Sequence, residues 1–274
     1  MVSDGEPETE RHSSAPSRRP GITVGLASSQ ADVEACQALR YQVFYEDGAA
    51  KADSLALAQK LDADGYDALC DHLMVSDGDR VVGTYRLLRQ EKLPAGAQFY
   101  SQAEFDIAPL LARHASLRFL ELGRSCVLRE YRTKRVIEVL WQAIWDYVRL
   151  NKLDVMLGCA SLPGSDPEQA APLLSYLQTA HAAPAEWAAR AQPGNSIQAK
   201  LRPSLTMTPR AILEKLPPLI KGYLRLGAYV GHGAVPDPQF GTIDVLIILP
   251  VSAIRPRYFA RFGAPEDEPQ PLMS

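Results

Sequence analysis

The stretch that decides the fold is residues 119–150, FLELGRSCVLREYRTKRVIEVLWQAIWDYVRL. Its first part predicts a strand over 117–128. Its second part predicts a long helix, because apolar residues recur at helical spacing at Val136, Val139, Leu140, Ala143, Ile144, Tyr147 and Val148. Thr133 stands where a helix N-cap belongs. The sequence therefore predicts a strand, a tight basic turn and a helix in succession.

Positive charge crowds the start of this helix. Arg132, Lys134 and Arg135 occupy an end where the helix dipole disfavours each cation by about 0.3–1 kcal/mol. Free backbone N–H groups and three cations together form an anion cradle, which favours a ligand that carries phosphate. The alternative is a solvated basic turn that Glu130 and Glu138 balance.

Length and composition narrow the class of protein. The 274 residues could bury one large core or one core with an appendage, and the 46% hydrophobic and 22% charged fractions are typical of a globular chain. The net charge of −3 gives no general attraction to nucleic acid. Four scattered cysteines without a C-x-x-C pair argue against zinc and disulfides, and favour a reducing cytoplasm. No apolar run approaches the roughly 20 residues of a membrane span.

The order of predicted elements indicates a mixed α/β sheet. Strands are expected at 21–27, 72–76, 80–88, 154–160, 197–201 and 242–249, with a hairpin at Asp77-Gly78-Asp79. Helices are expected at 32–46, 167–181 and 209–227, the last interrupted at Pro217-Pro218. We expect a disordered tail over 1–20, one domain over 21–199, an extension packed on it over 200–264, and a tail over 265–274.

Glu121 lies inside an otherwise apolar strand, where a carboxylate is costly to bury unless it is paired or functional. Glu121 and Gly123 share one face of the strand. Burial would raise the pKa of this carboxyl toward a value that suits a general base. The alternative is a structural salt bridge to Arg86 or Arg118.

Acidic residues at Asp62, Asp64 and Asp67 surround a glycine in the segment DADGYD. An EF-hand is excluded because Leu73 occupies the position of the bidentate glutamate. The three carboxylates could hold a cationic amine, or they could form a solvated acidic loop.

Two further features leave alternatives open. Arg40 and Phe44 lie one helical turn apart and could line a pocket, or the arginine could simply extend over a core aromatic. Cys126 could accept an acyl group, or it could fill space in the core.

Together these features resemble the GNAT N-acyltransferase superfamily. In that fold a pantetheine phosphate lies over the turn and the helix N-terminus, between two splayed parallel strands, which here would be 123–128 and 154–160. Arg132 and Lys134 replace the usual small residues of the turn. This departure favours the single phosphate of phosphopantetheine on acyl carrier protein over the pyrophosphate of coenzyme A.

A narrower resemblance is to the acyl-homoserine lactone synthases, through Arg-x-x-x-Phe, an acidic motif and Glu-x-x-Arg. A denser one, over about residues 21–263, is to the L-ornithine Nα-acyltransferase family. The segments that carry it are LRYQVFYE, CDHLMV, VGTYRLL, ELGRSCVLREYRTKR, LGCASLPG, LPPLIKGYLRLGAYVG and DPQFGTIDVLIILP.

The resemblance implies an α/β fold with a mixed, mostly antiparallel twisted sheet, flanked by helices and followed by a C-terminal extension. It implies transfer of a (3-hydroxy)acyl chain from acyl carrier protein to the α-amino group of L-ornithine, which forms lyso-ornithine lipid. It further implies a cytoplasmic enzyme in peripheral contact with the inner membrane, with no permanently bound cofactor, no metal and no nucleic-acid partner.

The same resemblance assigns expected roles to residues. The reacting groups would be Glu121, as general base, with Gly123, Arg124 and Ser125. The donor phosphate would lie against Val127, Arg132, Thr133, Lys134 and Arg135. The acceptor would contact Arg40 through its carboxylate, Asp62, Asp64 and Asp67 through its side-chain ammonium, and also Phe44 and Arg86.

Two other functions remain compatible with the residues. One is a homoserine lactone synthase that uses S-adenosylmethionine, although the long extension after Ala199 argues against it. The other is a catalytically silent protein that binds acyl carrier protein or lipid.

Overall fold

The computed structural model describes residues 21–194, 196–197 and 208–268. Its central sheet has the strand order β1-β2-β3-β5-β6-β10-β8, and β9 pairs with the edge of β10. The strands are β1 (Ile22–Leu26), β2 (Asp71–Asp77), β3 (Arg80–Arg89), β5 (Phe119–Val127), β6 (Val155–Pro163), β8 (Tyr229–Val230), β9 (Val235–Asp237) and β10 (Thr242–Pro250). A separate small sheet joins β4 (Phe105–Asp106) to β7 (Arg190–Ala191). Every pairing is antiparallel except that of β5 with β6.

Helices flank this sheet. They are α1 (Gln30–Tyr41), α2 (Ser54–Gln59), α3 (Ala108–Arg113), α4 (Lys134–Leu150), α5 (Pro167–Ala180), α6 (Pro209–Lys215), α7 (Pro218–Leu226) and α8 (Phe259–Phe262). Among the described residues, no helix is both long enough and apolar enough to cross a membrane.

Local sequence chemistry explains where the main helices begin. Thr133 caps α4 by accepting a hydrogen bond from the backbone N–H of Val136 at 3.4 Å, as the sequence predicts. A reciprocal capping box between Ser29 and Asp32 starts α1 two residues earlier than expected. One π-helical turn, Gln42–Glu46, then continues α1 to the predicted end.

The chain between Pro209 and Leu226 forms two helices because Pro217 and Pro218 interrupt it, as expected. The expected strand at 197–201 falls almost entirely outside the described residues, as does the expected tail at 1–20. The short strands β4, β7, β8 and β9 are not predicted, since two or three residues carry no usable periodicity.

The sheet separates two apolar cores. The larger packs α1, α4, α5 and α7 against one face, with Leu120, Leu122 and Met156 among its members. The smaller lies on the other face around Phe105, Phe119 and Trp187. Strand β10, an almost unbroken apolar run, is buried between them and pairs with the whole of β6.

The parallel contact between β5 and β6 is short. Only Phe119, Leu120 and Glu121 pair with Val155, Met156 and Leu157. Beyond that point β5 follows β3, while β6 follows β10, so the two strands diverge. The expected splayed pair is thus present, with the divergence beginning at Leu122 and Gly158.

Gly158 permits the close approach at the point of divergence. A Cβ atom at this position would lie 2.2 Å from the carbonyl oxygen of Leu122, which no real contact allows. The two strands can therefore meet there only because residue 158 has no side chain.

Substituting Gly158→Ala should force β5 and β6 apart and lower the free energy of unfolding by about 1–3 kcal/mol or more. The measurement is urea-induced unfolding followed by far-UV circular dichroism. Gly21→Ala is the control, because a Cβ there meets nothing within 4 Å. Equal stability of the two variants would contradict the close approach.

Candidate active site

The divergence of β5 from β6 opens a cleft of about 90 Å³ through the middle of the sheet. One wall carries Glu121, Gly123 and Arg124, and the opposite wall carries Cys159, Ser161 and Asp244. Phe44 closes one end together with Phe240, their rings packed edge to face with centroids 5.5 Å apart. The cleft therefore places Glu121 opposite three side chains that β6 and β10 supply.

Glu121 is buried and holds a neighbouring loop. Its carboxylate accepts hydrogen bonds from the backbone N–H of Tyr100 at 2.8 Å, the N–H of Ser101 at 2.7 Å and the hydroxyl of Ser101 at 2.6 Å. Burial nevertheless raises the pKa of Glu121, and these three donors only partly oppose the rise.

The alternative of a structural salt bridge to Glu121 is not observed. Within the described residues, Arg86 pairs with Asp64 at 2.7 Å and Asp67 at 3.2 Å, and Arg118 pairs with Glu91. Among the residues that the structure describes, Glu121 is thus a buried carboxyl group in the cleft that forms no ion pair.

A β-bulge sets the direction of Arg124. Register shifts between β3 and β5 so that one residue, Tyr85, faces both Arg124 and Ser125. Arg124 adopts φ = 51°, in the left-handed region that costs a residue with a side chain about 1–2 kcal/mol. Its guanidinium consequently packs over the rings of Tyr100 and Phe240, each centroid 4.8 Å away.

Three arginines and three aspartates form a compact ion cluster beside the cleft. Arg40 pairs with Asp62 at 2.8 Å and Asp67 at 2.9 Å. Arg124 pairs with Asp62 at 3.3 Å and Asp64 at 3.4 Å. The pairs with Arg86 complete the cluster. The three positive and three negative charges balance one another. Removing one of the partners would leave a buried charge without compensation, which destabilises a fold.

The cluster changes the role of Arg40. Its side chain is fully buried, and its guanidinium is occupied by Asp62 and Asp67. The expected contact with a substrate carboxylate therefore does not fit this structure. Arg40 instead fixes the loop that carries the aspartates.

The cluster also limits the role of the aspartates. Asp62 and Asp67 are buried against arginines, whereas the Asp64 side chain keeps 28% exposure and lines an adjoining cavity of about 690 Å³. Arg124 and Tyr100 line both this cavity and the cleft. A molecule in the large cavity would thus reach the cleft past these two side chains.

The basic turn before α4 keeps an excess of positive charge at the surface. Glu130 pairs with Arg80 at 3.1 Å, and Glu138 pairs more closely with Arg261 at 2.6 Å than with Lys134 at 3.7 Å. Arg132 and Arg135 form no ion pair within the described parts of the chain. The expected balance by Glu130 and Glu138 is therefore weak, and the helix end suits an anion.

Arg132 is tied to the end of β5. Its Nε donates to the backbone carbonyl of Val127 at 3.0 Å, which fixes the turn that follows the cleft. Ser125 lies in the bulge, and Thr133 caps α4.

A second acidic group in the site is absent from the sequence-based expectations. Glu104, Cys159 and Asp244 bring their side-chain oxygen and sulfur atoms within 4.8 Å of one another. Burial, followed by repulsion from Asp244, raises the pKa of Glu104 to about 7. Burial likewise raises the pKa of Asp244 to about 6. Asp244 could have been found by the same signal as Glu121, since it interrupts the apolar run of β10.

Cys126 lies in the larger core instead of the cleft. Burial raises the pKa of its thiol, so the nucleophilic thiolate is strongly disfavoured. Of the two expected roles, the structure favours that of an apolar filler.

Comparison with known proteins assigns the class first. Residues 39–142 match the family described as "Acetyltransferase (GNAT) domain". The structure of FeeM, an N-acyl amino acid synthase from uncultured soil microbes, aligns with a TM-score of 0.51 at 11% identity, covering 89% of this chain and 99% of that one. At this identity the likeness shows the fold alone, and that fold is the GNAT fold.

Two curated relatives of similar sequence then identify the family within this class. The chain is 49% identical over 245 residues to L-ornithine N(alpha)-acyltransferase of Agrobacterium fabrum, covering 87% of this chain and 84% of the relative. It is 49% identical over 246 residues to the protein of that name in Rhizobium meliloti, covering 87% and 83%. The chain belongs to the L-ornithine N(alpha)-acyltransferase family, and it is an acyltransferase.

The raised pKa of Glu104 should make the stability of the fold depend on pH. The carboxyl titrates near 4.5 when unfolded and at about 7 in the folded protein, so ionisation costs the fold stability as pH rises through this window. Glu104→Gln removes that cost. The variant should therefore be more stable than the parent at pH 8, and the difference should shrink at pH 5.

Thermal unfolding at both pH values measures the effect. Glu266→Gln, the same change on an exposed side chain, is the control and should show no such pH dependence. A Glu104→Gln variant that loses stability at pH 8 would contradict the prediction, because ionised Glu104 would then stabilise the folded protein.

Proposed function

We propose that this protein transfers a 3-hydroxyacyl chain from acyl carrier protein to the α-amino group of L-ornithine and forms lyso-ornithine lipid. The observations that carry the proposal are the family membership, a cleft that contains a buried carboxyl group, and a basic helix end that suits an anion. Because the product is an amphiphile, the proposal includes peripheral contact with the inner membrane from the cytoplasmic side.

The helix end supports the donor half of the proposal. Lys134 and Arg135 at the N-terminus of α4, with Arg132 beside them, offer cations and free backbone N–H groups to a single phosphate. We place the phosphate of phosphopantetheine there. Its thiol arm would run along Val127 and Ser125 into the cleft, since β5 and β6 have separated at that level.

The buried carboxyl group supports the chemical step. The α-ammonium of ornithine must lose a proton before its nitrogen can attack, and Glu121 would take that proton directly or through a water molecule. The nitrogen then bonds to the thioester carbon, and backbone N–H groups of Gly123–Ser125 would stabilise the oxyanion. Collapse of the intermediate breaks the C–S bond and releases the phosphopantetheine thiol, which receives a proton.

The large cavity supports the acceptor half. Arg124 borders both the cavity and the cleft and is the arginine that lines both spaces among the described residues, so we assign it the carboxylate of the amino acid. Asp64 is the one aspartate of the cluster with substantial exposure to the cavity, and it would face an acceptor ammonium group. Arg86 and Phe44 would form part of the wall of the adjoining cleft.

Free-thiol release from 3-hydroxyacyl carrier protein, with the product identified by mass, tests the proposed function. The donor is mixed with L-ornithine, with S-adenosylmethionine or with no amine. Release that depends on ornithine and yields an acyl-ornithine mass is expected. A lactone product from S-adenosylmethionine would indicate a homoserine lactone synthase, and binding without release would indicate a silent carrier-binding protein.

Glu121→Gln should lower kcat by about 10²–10⁴-fold, because the ammonium loses its proton acceptor. The loss should be accompanied by disappearance of the carboxyl inflection from the pH profile of kcat. Circular dichroism and thermal unfolding establish that the variant is folded. Near-parental turnover in a folded variant would show that Glu121 is not the base.

Reversing the charges of the helix end, Lys134→Glu with Arg135→Glu, should raise the apparent KM for acyl carrier protein by about tenfold or more. Ornithine kinetics at saturating donor should change little. Arg210→Glu with Lys215→Glu, on exposed side chains of α6, changes the net charge equally and serves as the control. Unchanged donor kinetics in the first variant would remove the phosphate site from the proposal.

A further inference from the structure

A groove that the proposed chemistry does not use lies on the opposite face of the sheet from Glu121. It has a volume of about 570 Å³, within the range of sites that bind small molecules. Helix α4 contributes Trp141 and Trp145 to one wall, α7 contributes Gly222 and Leu226 to the other, and the segment around Phe259 and Phe262 covers it. Its lining is therefore mainly aromatic and aliphatic.

The groove is the last of three cavities in series. The cleft shares Leu122 and Cys159 with a small void of about 10 Å³, and that void shares Met156 with the groove. Shared lining residues place the void between the other two spaces. Met156 is the lining residue that the void and the groove share, and methionine is a flexible side chain that repacks readily.

The chemistry of the groove selects an unbranched hydrocarbon chain. The cationic side chains of the lining are Lys134, Arg225 and Arg261. Arg261 pairs with Glu138 at 2.6 Å, so the remaining charge is positive and suits a chain that ends in an anionic or polar group. The interior is lined by Trp141 and Trp145, and Trp145 stacks on Phe259 with centroids 5.9 Å apart. Such surfaces favour apolar contact without directional hydrogen bonds.

We propose that the groove between α4 and α7 binds the hydrocarbon tail of the acyl chain, which enters from the cleft past Met156. The inference rests on the proposed function, because the tail is that of the acyl donor before transfer or of the product after it. The longest acyl chain that the groove can hold would then be set by α4, α7 and the covering segment near Phe262.

Tryptophan fluorescence tests the site without turnover. The chain has three tryptophans, of which Trp141 and Trp145 line the groove, while Trp187 lies in the other core and stacks on His114 with centroids 4.0 Å apart. Dibromostearate, kept below its micelle concentration, should quench the parent and a Trp187→Phe variant. It should quench a Trp141→Phe, Trp145→Phe variant far less.

The dependence of affinity on the length of the fatty acid provides a quantitative test. Across unbrominated fatty acids that compete for the site, affinity should rise by about fourfold per added CH₂ until the groove is filled, and then level off. Equal quenching of the variant that keeps only Trp187 would overturn the proposal. Quenching that appears only when anionic phospholipid vesicles are present would also overturn it, and would mark this face as a membrane contact instead.

A variant whose new side chain partly fills the groove tests whether the groove affects turnover. A Cβ at Gly222 would already lie 3.3 Å from the ring of Trp141, so Gly222→Met extends into the groove. It should lower kcat/KM for a 3-hydroxyhexadecanoyl donor by tenfold or more, as about two lost CH₂ groups would, and leave a 3-hydroxybutanoyl donor unaffected. Leu213→Met, exposed on α6, is the control.

The two arms separate the possible failures. Quenching at Trp141 and Trp145 with no thiol release would retain the groove and reject the proposed function. Release with equal loss for both donors in Gly222→Met, or no loss for either, would retain the function and reject the groove as the tail site.

Discussion

The rest of the structure depends on the early separation of β5 from β6. Three residue pairs join the strands, and Gly158 allows them to approach closely at the end of that contact. Each strand then follows a different antiparallel neighbour. A continuous parallel pair would have filled the middle of the sheet with backbone hydrogen bonds. The separation instead leaves a cleft that Glu121, Arg124, Cys159 and Asp244 line.

The charges around this cleft fall into three groups with different physical roles. The cluster of Arg40, Arg86 and Arg124 with three aspartates is internally neutral, so it fixes the loop beside the large cavity and gives Arg124 its orientation. Glu121 and the pair of Glu104 and Asp244 are carboxyl groups whose pKa values burial raises. The start of α4 is positive and exposed. In the proposed mechanism Arg124 and Asp64 of the cluster contact the acceptor, whereas Glu121 and the start of α4 lie at different ends of the path that the proposed donor would follow.

The sequence was sufficient for the parts of the fold in which local chemistry and long-range packing agree. Helix α4 follows from its cap and its apolar spacing, and the β2–β3 hairpin follows from Asp77-Gly78-Asp79. Glu121 could be recognised because a carboxyl group in an apolar strand needs an explanation. The partners of side chains could not be predicted. The resemblance assigned both Arg40 and the aspartates to the acceptor, but did not indicate that Arg40 is saturated by Asp62 and Asp67. Glu104 and Tyr100 were missed because they lie in a region without clear periodicity, and only the fold brings them to the cleft.

The central claim is that the space between β5 and β6 holds the reacting end of the donor while α4 holds its phosphate. The most direct measurement is a crystal structure with a 3-hydroxyacyl phosphopantetheine in which an amide replaces the thioester. The account predicts phosphate density against Lys134 and Arg135, and the amide carbonyl at Gly123–Ser125 within reach of Glu121. Density for the analogue in any other cavity, with the cleft empty, would contradict it.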